Sequence, residues 1–69
     1  MDNKAMFVKE YGELLERYAR SNVSTLEYKA LGECTEIVTI TYKNGYKKNV
    51  NVSGDSIIAI THDVYKALI

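Results

Sequence analysis

Asn44-Gly45 lies between two runs rich in β-forming residues, in Glu36–Ser53 (EIVTITYKNGYKKNVNVS), and constrains this chain more than any other feature. Such a pair is the strongest short-range signal for a hairpin. The length of the loop follows from the side chains. A two-residue loop would set Val38 against Asn51 and Ile40 against Asn49, so the apolar sets of the two strands would fall on opposite faces. A three-residue loop, Lys43-Asn44-Gly45, pairs Tyr42 with Tyr46, Ile40 with Lys48, Val38 with Val50 and Glu36 with Val52. Val38, Ile40, Tyr42, Tyr46, Val50 and Val52 then share one face, and a slip of one residue would undo this. The three-residue loop is the reading adopted, a type I turn followed by Gly45 with positive φ.

A hairpin alone is marginal and needs a third strand or a covering helix. Thr25–Leu31 (TLEYKAL) is ambiguous. Ser24 and Glu27 have capping-box spacing and the composition favours helix, yet Leu26 to Ala30 alternate strictly and Gly32-Glu33 can turn the chain back against Ile37–Tyr42. The strand is preferred, with a short helix over 25–31 as the alternative. On the N-terminal side, a helix is expected from about Lys4 to Ser21, capped by Asp2 or Asn3. Phe7, Tyr11, Leu14, Leu15 and Tyr18 form its stripe. Gly12 inside it marks either a close backbone approach or, more simply, a tolerated defect. A second helix is expected over about Ser56–Leu68, capped by Asp55 or Ser53. Ile57, Ile60, Val64 and Leu68 make one stripe on it, and Ile58, Tyr65 and Ile69 a second. The fold class is therefore α+β, a single domain over 1–69 in the order αβββα, with both helices on one sheet face. The alternative is αββα.

Sixty-nine residues give a thin core, and domains of this size usually need a disulfide, a metal, a second copy or very regular packing. Cys34 is the only cysteine and His62 the only histidine, so neither an internal disulfide nor a His/Cys metal set is expected. Cys34 reads as a small apolar packing residue. No cofactor is indicated. Zero net charge argues against a surface built for long-range attraction to nucleic acid. MDNKAMFVKE lacks an apolar segment after its lysines, and no run approaches a membrane span. A cytoplasmic protein that does not enter the membrane is expected.

Three features are candidates for function. The hairpin tip carries Lys43, Tyr46, Lys47 and Lys48, which can meet phosphates and stack a base; the plainer reading is lysine protection of a sheet edge. The start of the second helix, at Ser56, offers free N–H groups to an anion, although simple capping explains the same residues. His62 beside Asp63 suggests acid–base chemistry, but successive helical residues point ~100° apart and do not face each other. No enzyme is expected. The second apolar stripe, together with six tyrosines, favours an interface. Ile58, His62, Tyr65 and Ile69 are its candidates and a homodimer the simplest result.

Tyr42, Asn44, Gly45, Tyr46, Val50, Val52, Asp55, Ser56, Asp63 and Val64 make a Tyr-x-Asn-Gly-Tyr turn, a Val-x-Val strand end, and an Asp-Ser pair opening an apolar helix that closes on Asp-Val. In these the chain resembles small uncharacterised proteins of phages and integrated mobile elements of gut Firmicutes. The resemblance spans the last two-fifths of the chain and rests on turn, cap and core positions. It implies a mobile-element origin and action by binding, such as occluding a host protein of a defence system or holding a nucleotide. The leading expectation is thus a non-enzymatic, homodimeric interaction protein that occludes a host macromolecule. The alternative is a nucleotide or nucleic-acid binder using the hairpin tip and the start of the second helix.

Overall fold

The computed structural model describes residues 3–17 and 21–68. The expected Asp2 cap, Tyr18 and Ile69 lie outside these residues. The elements run α1 (Asn3–Arg17), β1 (Val23–Ala30), β2 (Glu36–Tyr42), β3 (Lys47–Asn51) and α2 (Ile57–Leu68). The strands form one antiparallel sheet in the order β1-β2-β3. This is the αβββα arrangement, and residues 25–30 belong to β1, not to a helix.

The hairpin adopts the expected register. Val38 pairs with Val50 and Ile40 with Lys48. The Tyr42 N–H donates to the Tyr46 carbonyl at 2.8 Å, the Gly45 N–H donates to the Tyr42 carbonyl at 2.9 Å, and Gly45 has φ +91°. A side chain there would be strained. On the other side of β2, Leu26 pairs with Ile40 and Tyr28 with Val38, so their side chains join the same face. Between Val23 and Thr25 the register shifts by one residue. This bulge turns Val23 toward the face that Leu26 occupies, and Val23 is buried.

Both helices cover this face. The core unites Val8 of α1, Val23 and Leu26 of β1, Val38 and Ile40 of β2, Val52, and Ile60 and Val64 of α2. The opposite face presents Thr25, Glu27, Thr39, Lys47, Asn49 and Asn51, with a Thr39–Asn49 side-chain hydrogen bond of 2.9 Å across it. Polar residues suit a sheet surface that no layer covers.

Several expectations are corrected. The inner face of α1 centres on Val8 and Gly12, about one residue step (~100°) from the predicted stripe. Phe7, Tyr11 and Leu15 are only partly buried, and Leu14 is 61% exposed. The cause is Gly12. A Cβ there would lie 2.7 Å from the Leu26 backbone nitrogen, so the missing side chain lets α1 rest directly on β1. It is a contact, not a tolerated defect. The cap of α2 is Ser56, whose Oγ accepts the Ala59 N–H at 3.2 Å; Ser53 and Asp55 are engaged elsewhere. Cys34 is exposed in the β1–β2 turn instead of packing in the core.

Candidate functional site

Three surfaces gather chemically distinctive side chains. The first is an apolar groove of about 400 Å³ between the helices, lined by Tyr11, Ile58, Thr61, His62 and Tyr65. It arises because α2 is apolar on more than the side that meets the sheet. Ile60 and Val64 point into the core, whereas Ile58 is 82% and Tyr65 55% exposed. On α1 the same displacement that buries Val8 moves Tyr11 toward α2, where it stacks on Phe7 at 6.0 Å. Burial, with Tyr65 nearby, holds the Tyr11 hydroxyl above its ordinary pKa. The structure thus groups Ile58, His62 and Tyr65 as the sequence suggested. It adds Tyr11 and Thr61, which sequence alone assigned to other roles or to none.

The second surface is a cleft of about 640 Å³ at the hairpin tip, lined by Asn22, Tyr42, Lys43, Asn44, Tyr46 and Lys48. Lys47 is not part of it. Lys47 pairs with Thr41 in the ladder while Lys48 pairs with Ile40, so the two lysines project from opposite faces of the sheet. Ser56 is also absent. It caps the start of α2, and it is the far end of that helix that reaches the tip, where Lys48 Nζ donates to the Ala67 carbonyl at 3.3 Å. An anion site shared by the tip lysines and the helix N-terminus does not form, because α2 runs back along the sheet from the end opposite the tip.

The third surface is a polar cluster at that opposite end. Glu36 opens β2 and its carboxylate accepts from three elements: the Tyr28 hydroxyl of β1, the Gly54 N–H at 2.8 Å and Lys4 Nζ of α1 at 3.1 Å. Its backbone N–H donates to Ser53 Oγ at 2.9 Å. The hydrogen bonds from Tyr28, Gly54 and Lys4 lower its pKa to about 2. This carboxylate therefore supports the fold fully above the ordinary carboxylate range, and the support is lost as pH falls toward 2.

Asp55 behaves oppositely. Its Oδ2 is shielded from solvent and meets no donor. A hydrogen bond with the Asp63 carboxyl, which requires a proton on one of the pair, raises its pKa; burial, the Asp63 charge and Glu36 add to this, and Lys4 opposes it. A raised carboxyl pKa means a contribution present at acid pH and lost as pH rises through the folded value. Asp55→Asn supplies the missing donor without charge. It is expected to raise Tm by a few degrees at pH 7, an advantage that shrinks below about pH 4. Thermal melts at pH 7 and pH 3.5 check this, and a lower Tm at pH 7 would contradict it. Among the described residues no group of three or more His, Cys, Asp or Glu side chains is placed to hold a metal ion. No helix among them is long and apolar enough to cross a membrane.

No protein-family model, no curated protein and no solved structure matches this chain.

Proposed function

We propose that this chain is a non-enzymatic interaction protein whose two-helix face seats a second copy of itself, and that the resulting homodimer acts by occluding a surface of a host macromolecule. The single observation that carries the reading is the exposed stripe on α2, where Ile58 and Tyr65 remain open beside the apolar groove. Ile58 and Tyr65 are seven residues, or two turns, apart, and Thr61 and His62 lie midway. A two-fold axis between those middle residues, with α2 antiparallel to its copy, sets each Ile58 on the partner's Tyr65. An isologous interface has this self-matching property. Two copies also cover apolar surface that a domain of this size can ill expose. His62 is exposed on α2, while its neighbour Asp63 is engaged with Asp55.

Sedimentation equilibrium at micromolar concentration is expected to give twice the 7.8 kDa chain mass. Ile58→Asp is expected to weaken self-association at least 100-fold, as burying an unpaired charge at a central contact does. The fold should be unharmed, because an acidic residue suits the first turn of a helix. Leu31→Ser, which removes an exposed apolar residue that does not line the groove, is expected to leave the mass unchanged. A wild-type mass near that of one chain would dismiss the dimer.

A further inference from the structure

We infer that the hairpin-tip cleft is a binding site for a nucleoside phosphate, with the base stacked on Tyr46 and the phosphate held by Lys43 and Lys48. This site is separate from the two-helix face and does not depend on self-association.

Four observations converge on it. The cleft, about 640 Å³, lies within the range of small-molecule sites, roughly 300–1,000 Å³. Its aromatic wall is double: the Tyr42 and Tyr46 rings lie 5.8 Å apart and tilted by 31°, and Tyr46 is 64% exposed. A partly buried ring supporting an exposed one makes a platform for a flat heterocycle.

Its charge has one sign. Lys43 and Lys48 line it, and among the described residues no carboxylate does, although acidic and basic residues balance over the whole chain. The amide side chains of Asn22 and Asn44 add donors and acceptors of the kind that read the edge of a base.

Its frame is fixed before any ligand arrives. The Lys43 N–H donates to the Asn22 carbonyl at 2.7 Å, tying the tip to the start of β1. Asn44 Oδ1 accepts the Tyr46 N–H at 3.0 Å, closing the turn on itself. Lys48 is positioned by the Ala67 carbonyl. Little ordering is then left to oppose binding.

A mononucleotide suits this cleft better than a polymer. Proteins that hold single strands use a basic groove that follows several successive phosphates. Here Lys47, next to Lys48 in the chain, projects from the other face of the sheet.

The test is isothermal titration of the full chain with AMP, run beside adenosine, inorganic phosphate and a single-stranded oligonucleotide. AMP is expected to bind at least tenfold more tightly than adenosine or phosphate alone, with affinity falling as salt is added. Lys43→Gln and Tyr46→Ala are each expected to weaken AMP at least tenfold. Both side chains project from the loop, and unchanged circular dichroism would show the fold intact. Lys47→Gln is expected to leave AMP affinity unaltered. The inference is overturned by an absence of heat at millimolar AMP, by binding of the oligonucleotide without AMP, or by a loss in Lys47→Gln equal to that in Lys43→Gln.

Discussion

Gly12→Val is expected to leave the chain largely unfolded at 25 °C, and Gly12→Ala to cost about 1–3 kcal/mol, the usual range for overpacking. By helix propensity alone the sign would be the reverse, since alanine is better than glycine inside a helix by about 1 kcal/mol. Packing wins because of what the new Cβ meets. It would lie 2.7 Å from the Leu26 nitrogen and 3.0 Å from the Leu26 Cβ. The first of these is backbone, held in a strand that is paired with β2. No side-chain rotation relieves the overlap, so α1 must lift away from β1. Val8, fully buried one turn earlier, would lose its seat as α1 moved. Valine adds two methyl groups to the same collision. A domain of this size has only about 3–10 kcal/mol in total to lose. Urea unfolding followed by far-ultraviolet circular dichroism checks the series, and a Gly12→Ala protein as stable as the parent would show that α1 is not seated as described.

That contact also marks the limit of what the sequence reveals. Side-chain alternation and one Asn-Gly pair were enough to place every residue of the β2–β3 hairpin, because turn chemistry and a period of two act locally. Glycine has no side chain to enter a hydrophobic stripe, so the inner face of α1 could not be read correctly from Phe7, Tyr11 and Leu14. The exposed stripe on α2 was legible because it left a surplus beyond Ile60 and Val64. Lys47 and Lys48 were adjacent in sequence and so were grouped, although the pleat that the hairpin register itself implies divides them. The Glu36 cluster was invisible for another reason. It joins residues as far apart as Lys4, Tyr28, Glu36 and Gly54, and only the packed order of the strands brings them together.

Within β2, Ile40→Ala is expected to lose about 3–5 kcal/mol, whereas Ile37→Ala should change stability by about 1 kcal/mol or less. The two substitutions remove the same atoms from the same central strand. What differs is the face. Ile40 is fully buried between Leu26 and Lys48 in the ladder and belongs to the core that also holds Ile60 and Val64 of α2. Its deletion opens a cavity that rigid neighbours on two strands cannot fill. Ile37 pairs with Lys29 and Asn51 and lies on the face that no helix covers, where water replaces the lost atoms without leaving a void. A two-residue loop at Asn44-Gly45 would shift β3 by one position and set Ile40 beside Asn49, dividing the apolar partners of β2 between the faces. The contrast between the two alanine variants, measured by chemical denaturation at one protein concentration, therefore tests the register itself. Equal losses at both positions would mean that the sheet is covered on both sides, and the open polar face assigned here would have to be abandoned.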